Sequence, residues 1–179
     1  MKHRVIVLSL VLAALATVPA FAAKADSILE TEFNKPGQVN LNAGARLGFG
    51  SLFGLGAVVG GEYILTKFDI PKFPLEFGIA ARAYLGFPGF RSFDWGVAPM
   101  ATLHKGFDFG PNAQFDLYIG AGVGFGGDTG GYGIGIGFAT FDGLAWRLTD
   151  NLWLMVEYGG IYGWQVSTTM TNIGVRFVL

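Results

Sequence analysis

From Gln38 onward the chain alternates between apolar and polar or small residues with a period of two, the repeat of a strand with one apolar face. In the first stretch Val39, Leu41, Ala43, Ala45, Leu47 and Phe49 share a face, and Gln38, Asn40, Asn42, Gly44, Arg46 and Gly48 form the other. The pattern returns at 75–87, where Leu75, Phe77, Ile79 and Leu85 oppose Glu76, Arg82 and Tyr84, and at 94–104, where Trp95, Val97, Pro99 and Leu103 oppose Asp94, Met100, Thr102 and His104. It is clearest at 114–125, with Phe115, Leu117, Ile119, Ala121, Val123 and Phe125 against Gln114, Asp116, Tyr118 and three glycines. Four noisier strands lie at 55–66, 133–148, 152–158 and 165–179. Links rich in Pro, Gly, Asp and Asn bound them at 51–54, 67–74, 88–93, 105–112, 126–132, 149–151 and 159–164. The prediction is eight strands in antiparallel succession.

The sixth strand breaks the pattern. Ile134, Ile136, Phe138, Leu144, Trp146 and Leu148 share a parity, and so do Thr140 and Asp142. Two arrangements accommodate a carboxylate there: a β-bulge within 139–143 that flips the parity locally, which the pattern favours, or a contact with another subunit.

Composition decides what the apolar face meets. The chain has 179 residues, 51% hydrophobic and 14% charged, with 29 glycines, 17 phenylalanines and no cysteine. Soluble domains carry about 25% charged residues, so disorder and most cytosolic enzymes are excluded. After residue 20 no apolar run is long enough for a spanning helix, which leaves a closed β-barrel as the membrane-crossing structure. A soluble lipocalin-type barrel would need the polar face outside, and that face holds too few charges. Residues 1–22 read as a secretory signal: Lys2, His3 and Arg4, an apolar stretch from Val5 to Val18, and Ala20-Phe21-Ala22 as the cleavage site. Residues 23–37 are then a polar periplasmic lead-in and 38–179 the transmembrane barrel. The full chain has a net charge of −1, and nothing in it points to a nucleic-acid partner. Absent cysteine excludes disulfides and thiolate metal sites.

The chain closes on Asn172-Ile173-Gly174-Val175-Arg176-Phe177-Val178-Leu179. This resembles the C-terminal assembly signal of bacterial outer-membrane barrels, a likeness that implies a role in recognition by the barrel-assembly machinery for Asn172, Gly174, Phe177 and Leu179. The stretch Trp146 to Tyr158, with Thr149-Asp150-Asn151 at its turn, resembles the penultimate hairpin of small OmpA/OmpX-type barrels. Asp150 and Asn151 suit such a turn because both tolerate left-handed backbone. The resemblance implies an eight-stranded outer-membrane barrel of a diderm bacterium with both termini periplasmic. Aromatic residues at strand ends fit two interfacial girdles, with Phe87, Trp95 and Phe125 on the outer side and Phe68, Phe107, Trp146 and Phe177 on the inner.

The inward parity collects Arg46, Arg82, Arg147 and Arg176 with Glu62, Glu76, Asp94, Asp116 and Glu157. In a bore just wide enough for side chains these groups are expected to pair and close the pore, with Asp94 and Arg147 at the rims. Runs such as Gly122-Val123-Gly124 lack the helix that a phosphate loop requires and are read as space for bulky lumenal groups. His104 is the only histidine beyond the signal, so a histidine metal cluster is excluded. A base role for it, as in small barrels acting on lipid acyl chains, lacks a nearby serine, and the down-going fourth strand places it at the periplasmic rim. The expectation is a non-enzymatic barrel without metal or cofactor, with outer-membrane lipid as its surroundings and a structural or surface-interaction role. The alternative is a narrow small-solute pore.

Overall fold

A computed structural model describes residues 28–48, 54–89, 92–130, 133–163 and 167–179. The expected signal at 1–22 lies outside them, as does Phe49. Eight strands follow one another: β1 (Val39–Gly48), β2 (Gly54–Phe68), β3 (Leu75–Pro88), β4 (Asp94–Asp108), β5 (Gln114–Asp128), β6 (Gly133–Arg147), β7 (Leu152–Gly163) and β8 (Ser167–Val178). Each pairs antiparallel with its neighbours and β8 pairs with β1, so the barrel is closed. Closure satisfies the backbone groups that an open edge would leave exposed.

The alternation holds in space. Val59, Ile79, Leu85, Ile119 and Val123 point outward, and each is more than half exposed. Asn40, Arg82, Asp116 and Glu157, of opposite parity, are wholly enclosed. An apolar exterior around a polar interior is the arrangement of a transmembrane barrel and the inverse of a soluble one. At the end that carries residues 28–37 and Leu179, the terminal end, Phe107, Phe109, Phe115 and Trp146 form a chain of ring contacts. At the far end Trp95 meets Phe125 at 5.4 Å and Phe87 meets Phe93 at the same distance.

Three features depart from the sequence expectations. The strands are longer: β4 continues to Asp108, β5 to Asp128 and β7 to Gly163, through glycine-rich segments that read as turns. There is no bulge in β6. Its register runs unbroken from Phe115↔Trp146 to Asp128↔Gly133 on one side and from Gly137↔Gly163 to Arg147↔Trp153 on the other. Thr140 and Asp142 therefore stay on the outward face, and Asp142 is exposed there. The bulge occurs in β2 instead, between Ile64 and Thr66, where Ile64 also bonds the incoming chain through Gly37 N–H to its carbonyl at 2.8 Å and its own N–H to Gln38 O at 3.0 Å.

The lead-in crosses the mouth of the barrel at the terminal end. The Phe33 and Asn34 N–H groups donate to Glu76 Oε1 at 3.0 and 3.3 Å. The Phe33 ring meets Trp153 edge-on at 5.2 Å, in space left by Gly106, where a Cβ would come within 2.8 Å of that ring. Lys105 Nζ donates to the carbonyls of Thr31 and Pro74.

Candidate functional site

The one concentration of chemistry among the described residues is the lumen. Period-two alternation carries buried charged side chains inward on seven strands, and glycines on neighbouring strands make room for the large ones. A Cβ at Gly143 would stand 2.2 Å from the Tyr118 ring, and one at Gly96 would stand 2.5 Å from that of Tyr84. These are overlaps, so alanine fits at neither position without displacing an aromatic ring.

Toward the far end, Arg46 grips Asp94 with both ends of its guanidinium, Nη1 to Oδ1 at 2.5 Å and Nη2 to Oδ2 at 2.6 Å. This bidentate geometry is the strongest form of the pair. Arg46 also lies over the Tyr84 ring at 4.7 Å, and Tyr84 shares a hydrogen bond of 2.8 Å with Thr168. Asp94 is 4% exposed and not at a solvent rim as its place at a strand start implied. An apolar cluster that includes Val58, Tyr84, Ala98, Met100, Phe141, Ile161 and Met170 fills the adjoining bore.

Mid-barrel, Arg82 Nε donates to Glu157 Oε2 at 3.0 Å, with both side chains fully enclosed. Glu157 also accepts from the Tyr118 hydroxyl at 2.9 Å and from Asn172 Nδ2 at 3.1 Å. Asn42 stands between the guanidinium groups of Arg82 and Arg176. Its amide oxygen accepts from Arg176 Nε at 3.3 Å or, with the amide turned over, from Arg82 Nη1 and Nη2.

The third group lies toward the terminal end. His104 Nδ1 is 2.8 Å from Asp116 Oδ2 and its Nε2 is 2.8 Å from Glu62 Oε1. A carboxyl oxygen thus faces each ring nitrogen, so both are engaged in hydrogen bonds. Glu62 further accepts from Thr102 Oγ1 at 2.5 Å and Asn40 Nδ2 at 3.2 Å. Asp116 accepts from Arg176 Nη1, and Arg176 lies over the Tyr118 ring at 4.6 Å. Nearer the mouth, Glu76 meets the lead-in rather than a cation, while Arg147 bonds Gln114 at 2.9 Å and Asp150 at 2.5 Å at the partly exposed rim.

His104 corrects the sequence expectation. It is fully enclosed and bonded on both sides, because β4 extends beyond it to Asp108. Sequence reasoning also missed Asn40, Asn42 and Thr102 as members of the network, although all three share the inward parity of their charged neighbours. The buried imidazole meets two carboxylates and stacks on the Tyr118 ring at 5.4 Å. No three His, Cys, Asp or Glu side chains among the described residues are disposed to hold a metal ion.

No protein family and no curated protein matches this chain. Solved structures do. The chain is similar to the N-terminal β-barrel domain of Pseudomonas aeruginosa OprF, with 18% identity and a TM-score of 0.51 over 82% of this chain and 100% of that one. It is similar to the Yersinia pestis attachment invasion locus protein Ail, with 13% identity and a TM-score of 0.50 over 81% of this chain and 100% of that one. The fold is that of the eight-stranded outer-membrane β-barrels. In such a barrel the exposed apolar belt faces lipid, and the lumenal network is shielded from it by the strands.

The C-terminal residues take two different places in this barrel. Asn172 points inward and belongs to the Glu157 network. Gly174 lies opposite Gly44 of β1, where a Cβ would come within 2.2 Å of Ala43 O. Phe177 points outward, 45% exposed, opposite Leu41 of β1 and Leu152 of β7. Leu179 N–H donates to Val39 O at 2.9 Å, fastening the last residue to the first strand.

Proposed function

We propose that the protein is a non-enzymatic barrel of the bacterial outer membrane, closed to ions, with a structural or surface-interaction role. The observation that carries this reading is the occupied bore. Large side chains that include Arg82, Arg176, Tyr84, Tyr118, Phe141 and His104 have essentially no exposure, and an apolar cluster lies against the charged network. An ion passing through would have to break buried pairs such as Arg82–Glu157, whose side chains have no access to solvent. Single-channel recording of the refolded protein in planar bilayers is expected to show no steady conductance and at most rare, small openings. Large, stable, ion-selective currents would overturn the reading and establish the narrow solute pore in its place.

In the proposed orientation the lead-in, the 148–151 turn and Leu179 lie on the periplasmic side, from which the assembly machinery would meet the last strand. An epitope inserted beside Asp128 should then be labelled on intact cells, and one beside Asp150 should be labelled only after the outer membrane is permeabilised. The opposite labelling would invert the topology.

A further inference from the structure

Among the described residues, the middle of the outward belt is apolar except on β6, β7 and β8. There the register aligns Asp142 with Tyr158 and Tyr158 with Thr171, and one row away Thr140 with Gly160 and Gly160 with Thr169. Asp142 and Thr169 are exposed, Thr140, Tyr158 and Thr171 are partly exposed, and Gly160 forms the floor. The patch lies within the belt: Phe138 is outward on one side of it and Trp146 on the other, and Asp142 is roughly 13 Å along β6 from Trp146 at ~3.3 Å per residue. Asp142 also interacts within its own chain. What sets the patch apart is its place within the belt, not an open valence.

We propose that this patch is the contact through which two copies of the barrel associate in the membrane. A two-fold interface must be complementary to itself, and this one combines a carboxylate acceptor with the hydroxyl donors of Tyr158, Thr140, Thr169 and Thr171. A two-fold axis along the membrane normal and centred on β7 sets β6 of one copy beside β8 of the other. That brings the Asp142 carboxylate to the side that carries Thr169 and Thr171. At the axis Gly160 lets the two backbones approach closely, the role small residues play between membrane-embedded elements. An acyl chain offers nothing to these polar groups, and a lipid phosphate would be repelled by Asp142. The remaining occupant, a cationic side chain of a different membrane protein, is separated by the experiment.

The chain has no cysteine, so a single one reports position cleanly. Val156 lies outward on β7 near the proposed axis, and Ile79 lies outward on β3, away from it. Val156→Cys and Ile79→Cys are each reconstituted at low density in phosphatidylcholine vesicles and treated with a short bis-maleimide. The inference rests on the barrel residing in a membrane, so heat-modifiable gel mobility is measured first and establishes insertion independently of association. The expected result is a cross-linked dimer from Val156→Cys and not from Ile79→Cys. Adding Asp142→Leu to Val156→Cys should leave the barrel folded and weaken association about tenfold, the scale of one or two lost hydrogen bonds between embedded surfaces. Folded Val156→Cys protein that stays monomeric, that cross-links no better than Ile79→Cys, or whose dimer survives Asp142→Leu unchanged would overturn the proposal. So would cross-linking in outer membranes to a different protein in place of a second copy.

Discussion

Replacing Arg82 with methionine is expected to cost the barrel about 3–5 kcal/mol of folding free energy, the usual penalty for removing one partner of a buried ion pair. The side chains of Arg82 and Glu157 both have 0% exposure, so the abandoned carboxylate cannot be rescued by solvent where it stands. Its remaining ligands are the Tyr118 hydroxyl and the Asn172 amide, neutral donors that satisfy its geometry without balancing its charge. Methionine fills much of the volume of the arginine stem, so the loss reports charge and not a cavity. Urea titration of refolded protein in vesicles would measure it. The double variant Arg82→Met with Glu157→Gln removes both charges and should lose less than the single variant, because a neutral amide in place of the carboxylate leaves no buried ion behind. Arg147→Met at the partly exposed rim provides the contrast, at about 0–1 kcal/mol as for other solvated pairs. A loss below about 1 kcal/mol for Arg82→Met, the range of solvated pairs, would mean that water reaches mid-barrel, and the closed-bore reading would fall with it.

How far the sequence anticipates this arrangement depends on which physical variable is asked for. Parity is local, and two-residue alternation sorts Arg46, Glu62, Arg82 and Asp116 to the inside without knowledge of any other strand. Height is not local. It depends on strand ends and on the stagger accumulated around the barrel. The sequence puts His104 at a rim because the glycine and aspartate after it resemble a turn, although in β4 they are ladder residues running to Asp108. The same ambiguity hides 159–163, where glycines serve close strand approach: a Cβ at Gly159 would come within 2.0 Å of Thr140 O. Partner choice inherits the uncertainty in height, so the match of Arg82 to Glu157 across the bore is legible only as a shared face. Asp142 illustrates the opposite error. Its outward parity is plain in the sequence, and the expected bulge overrides it on the assumption that a carboxylate avoids the apolar face. The uninterrupted ladders on both sides of β6 show that the alternation holds.

The second large effect concerns the last three residues. Deleting 177–179 is expected to abolish the folded barrel in the outer membrane, for two reasons that can be separated. The first is closure: Phe177 lies between Leu41 and Leu152, Val178 N–H donates to Asn151 O at 2.9 Å, and Leu179 N–H donates to Val39 O at 2.9 Å. Without these residues the terminal ends of β1 and β7 face each other across a gap, and each backbone group left unpaired near hydrocarbon costs several kcal/mol. The second is the proposed delivery of β8 to the assembly machinery, for which the outward Phe177 and the terminal Leu179 supply the apolar face. Phe177→Ala keeps every backbone hydrogen bond and removes only the ring, so it isolates the second reason. This variant should refold in detergent and vesicles with nearly wild-type heat-modifiable mobility, yet accumulate in cells mostly as unassembled, protease-sensitive chain. If it assembles in cells as well as the wild type while the deletion does not, closure alone accounts for the deletion and Phe177 is no part of a recognition signal. Normal heat-modifiable barrel in cells producing the deletion itself would remove both reasons at once.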